Sequence, residues 1–175
     1  NLKIVKTLKQ YTLLATFLST TAATTLAQNE VKNEVKNNTS KKYLTQATQN
    51  GLQKLNINNT KVYIMHHANG IKKRNRLTRN FKLNAFLIKG FDGSYFISLD
   101  GDLSYQEYIT SIAHELIHIK QYQVGDLESI NNKDSLEFKS QKYDLHNIKY
   151  DQRPWEQEAF EKTDSLKKEI ILSLN

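Results

Sequence analysis

The sequence predicts an α+β domain, and three observations carry that expectation. Helical and strand-like stretches come in blocks, a helix, about three strands, then two further helices, instead of alternating as a parallel α/β sheet requires. The 175 residues are 38% hydrophobic, enough for one sizeable core and crowded for two. The amphipathic stretch around His114-Glu115-Leu116-Ile117-His118 directly follows the strands, as a helix packed on a small sheet does.

Residues 1–27 read as a secretory signal. Lys3, Lys6 and Lys9 precede an apolar run over residues 11–18, and Thr25-Leu26-Ala27 offers a small-x-small cleavage site before Gln28. The apolar run is too short and too rich in Thr for a comfortable membrane span. No stable membrane insertion is therefore expected after cleavage, and the expected location is secreted, periplasmic or in a bacterial cell envelope. Residues 28–39, with a tandem Asn-Glu-Val-Lys, hold too little apolar side chain to offset their ordering entropy and are expected to form a disordered linker.

The domain itself is expected over residues 40–175. Ser40 caps a first helix reaching about Leu55, with Leu44, Ala47, Thr48, Leu52 and Leu55 on one face. Residues 61–66, 83–89 and 94–99 have the β-branched and aromatic content of strands, and Gly90-Phe91-Asp92-Gly93 joins the last two as a hairpin. Between them Lys72, Lys73, Arg74, Arg76, Arg79 and Lys82 form a basic run. Only Phe81 is interleaved as a stacking aromatic, so the run is read as a solvated loop and no nucleic-acid partner is expected. The net charge is +7, three of those charges being the lysines of residues 1–27, and this mild excess suits an anionic partner without requiring one.

Ser104-Tyr105-Gln106-Glu107 is a capping box opening the central helix, and Gly125 is placed to stop it. On a helical projection Tyr105, Tyr108, Ile109, Ile112, Ala113, Leu116 and Ile119 form an apolar arc, with His114, His118 and Gln121 opposite. The helix is therefore expected to pack on one face and present both imidazoles from the other. Imidazoles four residues apart share a helix face and can share a metal ion, and Glu115 between them can reach a water on that ion. By composition this five-residue pattern arises by accident in about one such chain per hundred.

With no cysteine, any metal must be held by His and carboxylate. Catalytic zinc takes three protein ligands and keeps a position open for water, so a third ligand must come from elsewhere. Pro154 suits the first turn of a last helix, on which Trp155, Ala159, Leu166, Ile170 and Leu174 form the core stripe. Glu156 projects onto the flank of that stripe, whereas Glu158 points away and can pair with Lys162. A carboxylate on the packed side needs a cation, which makes Glu156 the expected third ligand; Glu158 as ligand, or an Arg153 salt bridge to Glu156, is the alternative. Residues 125–151 show no clear period and are expected to be partly helical and to close over a cleft.

His114-Glu115-Leu116-Ile117-His118 with Gln121, followed by Pro154-Trp155-Glu156-Gln157-Glu158-Ala159, resembles the small bacterial and phage-type zincin metallopeptidases of the gluzincin-like group. The resemblance covers residues 60–175. In that group a second helix carries Glu-x-x-Ala-Asp; here Phe160 stands where the Asp is usual, so the partner that Asp gives a ligand histidine is missing from the pattern. The resemblance implies a monomeric zinc-dependent peptidase with Zn²⁺ on His114, His118 and Glu156, and Glu115 as general base. It implies a peptide or protein substrate, a cell-wall peptide among the options, lying along an edge strand. Tyr143, Tyr150 and His146 are candidates to assist the oxyanion. The competing expectation is a non-catalytic secreted binding protein on the same scaffold, using its basic run.

Overall fold

The computed structural model describes residues 29–33, 38–67, 84–130 and 134–174, with side chains from residue 41 onward in the first helix. The expected signal at 1–27 and the basic run at 72–82 lie outside the described residues. The elements in chain order are β1 (Glu30–Asn33), α1 (Asn38–Lys54), β2 (Lys61–His67), β3 (Ala85–Lys89), β4 (Tyr95–Asp100), α2 (Tyr105–Gln123), β5 (Leu127–Ser129), β6 (Ser135–Phe138), β7 (Gln141–Asp144), a 3₁₀ turn (Tyr150–Gln152) and α3 (Pro154–Leu172). The architecture is α+β, as expected.

The main sheet has the order β1-β2-β4-β3. β2 runs parallel to β1 and β4, and β3 closes one edge antiparallel to β4, with Leu87 opposite Ile97. Alternation sorts the side chains between the two faces. Val62 and Ile64 of β2, with Tyr95, Ile97 and Leu99 of β4, turn into the core under the helices. Tyr63 and Phe96, paired in register on the other face, stack with their rings 4.9 Å apart. Burying each of these aliphatic side chains contributes about 1.5–3 kcal/mol. The same core takes Ile109, Ile112, Leu116 and Ile119 from α2 and Leu166 and Ile170 from α3, so it clamps the two helices side by side over the sheet.

Three expectations are corrected. Residues 30–33, expected in the linker, form an edge strand, whose backbone pairs with β2 while Asn33 turns inward, 5% exposed. Strand pairing is a backbone transaction, so poverty in apolar side chains did not prevent it. The first helix begins at Asn38, ahead of the expected Ser40 cap. Among its described residues the stretch 125–151 holds no α-helix, only the start of the 3₁₀ turn at Tyr150: most of it is a second, antiparallel sheet, β5-β6-β7, in strands of three or four residues. Leu127 and Phe138 of that sheet close on Trp155, which is 2% exposed at the start of α3.

The ends of α2 form as expected. Ser104 accepts from the Glu107 amide while Glu107 accepts from the Ser104 amide. At the other end Gly125 takes φ +76°, Asp126 N–H donates to the Gln121 carbonyl at 2.9 Å, and Gly125 N–H donates to that of Tyr122. This is a Schellman closure, and only glycine enters that conformation cheaply.

Gly51 lies where the three helices meet. A Cβ there would clash with Leu116 Cδ1 and fall 3.0 Å from Ile170 Cδ1. Gly51→Ala should therefore lower stability by about 1–3 kcal/mol through overpacking, despite alanine's better helix propensity. Urea unfolding of the two proteins measures this, and an equally or more stable variant would show that α1 does not fix the seat of α2.

Candidate metal centre

α2 brings His114 and His118 to one face, one turn apart, as their spacing dictates. On α3 the buried residues are Trp155, Glu156, Ala159, Thr163, Leu166 and Ile170. From Glu156 onward their steps of three and four residues trace one stripe, and Glu156 is its first member, aimed at α2. Trp155, wedged against the second sheet, fixes where that stripe begins. Since α3 covers the imidazole face of α2, His114 and His118 are buried, and His118 lines a cleft, as expected of a metal site.

Three donor atoms converge between the helices. His114 Nε2 and His118 Nε2 each lie 3.2 Å from Glu156 Oε2 and 3.2 Å from one another. A four-coordinate centre with bonds of about 2.1 Å keeps its donors about 3.4 Å apart, so the spacing already suits one ion. Among the described residues this is the only group of three His, Cys, Asp or Glu side chains so arranged. Glu158 is not part of it: its carboxylate pairs with Lys139 and Lys162. Arg153 makes no salt bridge with Glu156 among the described residues, so that alternative also lapses.

The far nitrogens determine what the near ones can do. Gln121 donates its amide N–H to the Trp155 carbonyl at 3.1 Å, so its amide oxygen faces His118 Nδ1, 2.8 Å away, as an acceptor. Thr163 donates its hydroxyl to the Ala159 carbonyl at 2.7 Å, leaving its oxygen to accept from His114 Nδ1 at 3.3 Å. These acceptors favour the proton on Nδ1 of each ring; in that neutral form each Nε2 turns a lone pair towards the Glu156 carboxylate oxygen, whereas a protonated ring turns an N–H to it. Three lone pairs meeting at one point repel unless something positive sits among them.

The ionisation of the cluster reflects that demand. Burial pushes the Glu156 carboxyl up, but hydrogen bonds from His114, His118 and Tyr150 and the charge of His118 outweigh it and hold the group below its usual range. Burial pulls the His118 imidazolium down, yet its hydrogen bond to Glu156 and the charges of Glu115 and Glu156 raise it to about 9. A proton satisfies the cluster in part; a divalent ion satisfies all three donors together, and imidazole nitrogen with carboxylate oxygen is a donor set that suits one.

Glu115 lies beside the cluster, 5% exposed, with its carboxyl raised by burial against the lowering effect of both histidines. It lines a cleft of about 200 Å³ together with His118, Glu156, Tyr150, Arg153 and the edge strand residues Ala85, Phe86 and Leu87. Of the three oxyanion candidates only Tyr150 borders this cleft, its hydroxyl hydrogen-bonded to Glu156. Tyr143 packs its ring on Trp155 at 5.5 Å, and His146 is exposed beside Asp134. Phe160, where an Asp was expected, lies with its ring 4.7 Å from that of His114 and is half exposed. The missing partner is supplied one turn on by Thr163. Gln121 was legible from its place on the histidine face; Thr163 had only its position near the core stripe as a signal.

The sequence matches no protein-family model, and neither a curated protein nor a solved structure matches it.

Removing either outer partner should loosen the ring it holds. Gln121→Leu and Thr163→Val should each weaken Zn²⁺ binding about 10- to 100-fold without unfolding the chain. Calorimetric titration of Zn²⁺ into chelator-treated protein measures this; wild-type affinity in both variants would mean that the ring orientations do not depend on these contacts.

Proposed function

We propose that this protein is a zinc-dependent peptidase of the zincin type, acting outside the cytoplasm, with His114, His118 and Glu156 as zinc ligands and Glu115 as general base. The observation that carries the reading is the convergence of two bared Nε2 atoms and one carboxylate, 3.2 Å apart, beside a fourth, buried carboxyl on an open cleft. Zinc was inferred from the donor set, which contains no sulfur and no excess of oxygen. Bound there, it would supply Lewis acidity, acidifying a water and polarising the scissile carbonyl.

The remaining steps belong to the chain. Glu115 takes the proton of the attacking water and returns it to the departing amine. Burial keeps its carboxyl poised to hold that proton between the two transfers. The Tyr150 hydroxyl has one proton, now given to Glu156; with that carboxylate on the ion, the same proton would be free to turn to the oxygen that becomes negative. Among the described residues β3 is an edge strand of the main sheet, and it borders the same cleft, so an extended peptide can pair with its backbone. No helix of the described residues is long and apolar enough to cross a membrane. The competing expectation of a non-catalytic binding protein drew on Phe160, whose missing hydrogen bond Thr163 replaces, and on the basic run, which lies outside the described residues.

The test uses zinc-loaded protein and a mixture of internally quenched peptides. Cleavage should cease with a chelator, return with Zn²⁺, and fall about 10²- to 10⁴-fold in Glu115→Gln, which should still bind one zinc. Zinc-loaded wild-type protein that cleaves nothing, or a Glu115→Gln variant as active as wild type, would contradict the reading.

A further inference from the structure

Among the described residues Arg153 is the one Lys or Arg side chain lining the cleft, and no carboxylate among them pairs with it. It follows the 3₁₀ turn and immediately precedes α3, with its backbone N–H on the Tyr150 carbonyl. Its guanidinium lies over the Tyr150 ring at 5.4 Å and beside that of Trp155 at 5.9 Å. Two aromatic rings thus fix the side chain's placement, and Trp155 is itself locked into the second sheet.

A guanidinium has five N–H donors in a rigid fork. Here Nη2 reaches the Leu145 carbonyl at 3.5 Å, the limit of a hydrogen bond, while Nε is buried with no partner among the described residues. No carboxylate among those residues forms an ion pair with it: Glu156 is engaged by the two histidines and Glu158 by two lysines. Arg153 is part-exposed, so the buried Nε is the donor left unanswered, and in a cleft a ligand can supply its partner.

The charge balance identifies that partner's sign. With a divalent ion on the three ligands, the carboxylates of Glu115 and Glu156 would neutralise it, and among the described lining residues Arg153 would remain as the uncompensated positive charge. Among the described residues the cleft lining holds no lysine to share a more highly charged anion. A planar group with one negative charge and two oxygens fits the fork. Phe86, Tyr122 and Leu136, which line the same cleft, offer apolar contact to the residue that carries it.

We propose that Arg153 determines substrate specificity and that the preferred peptide carries a carboxylate beside the bond to be cleaved, either its own C-terminus or an acidic side chain. This deepens the peptidase reading and rests on it for the word substrate. The carboxylate preference itself is a property of Arg153 and can be read without turnover or zinc.

Binding is measured on zinc-loaded Glu115→Gln protein and on chelator-treated wild-type protein, each with and without Arg153→Gln. The probes are hippuryl-phenylalanine against its C-terminal amide, and acetyl-Phe-Glu-Phe-amide against acetyl-Phe-Gln-Phe-amide. One acid should bind on the order of tenfold or more tighter than its amide, and Arg153→Gln should erase that ratio while leaving the amide's affinity unchanged. The pair that shows the ratio tells terminal carboxylate from side chain. Equal binding of acid and amide in both pairs, absence of binding by either acid, or a ratio that survives Arg153→Gln overturns the proposal. Failure of the peptidase reading appears separately, as absence of zinc or of cleavage, while the preference in chelator-treated protein persists.

Discussion

Two lone pairs and one carboxylate are forced together between α2 and α3, and the rest of the molecule is arranged to keep them there. Left to themselves these donors would separate or hydrate, since each is polar and each pair at 3.2 Å is repulsive without a proton or an ion between. What opposes separation is the apolar packing directly behind them. Leu116 and Ile119 on α2 and Leu166 and Ile170 on α3 are buried in one core with β4, so the helices cannot part without exposing it. Gly51 lets α1 approach that junction closely enough to complete the clamp. The site is thus preformed by hydrophobic packing, and an ion entering it meets ligands whose ordering cost folding has already met.

Orientation is secured separately from position. Gln121 and Thr163 each spend their donor on a backbone carbonyl and keep an acceptor for an imidazole N–H, which fixes the tautomer of both rings. The Schellman closure at Gly125 adds to this, because the carbonyl of Gln121 is tied to the Asp126 amide. The second sheet does comparable service for α3. By holding Trp155 it sets the phase of the helix, and with it the choice of Glu156 over Glu158 as the inward carboxylate.

Much of this was legible in the sequence for identifiable physical reasons. A helix spanning nineteen residues has enough turns to display its period, its capping box and its stop, so α2 and its two histidines stood out. The same holds for α3, where Glu156 falls on the stripe that its apolar neighbours define. Strands of three or four residues show at most two alternations, and β5, β6 and β7 were illegible for that reason. β1 was missed because its stability comes from backbone pairing to β2, which leaves little trace in side-chain composition. The roles of Thr163 and Arg153 depend on which atoms face them, and that emerges only when α3 is docked.

The most direct measurement is an anomalous difference map from crystals of the purified protein, recorded on both sides of the zinc absorption edge. One peak is expected about 2.1 Å from His114 Nε2, His118 Nε2 and a Glu156 carboxylate oxygen, with the cleft side of the ion open beside Glu115. A map with no peak at that point, the three groups closed on one another by hydrogen bonds alone, would contradict the account at its centre.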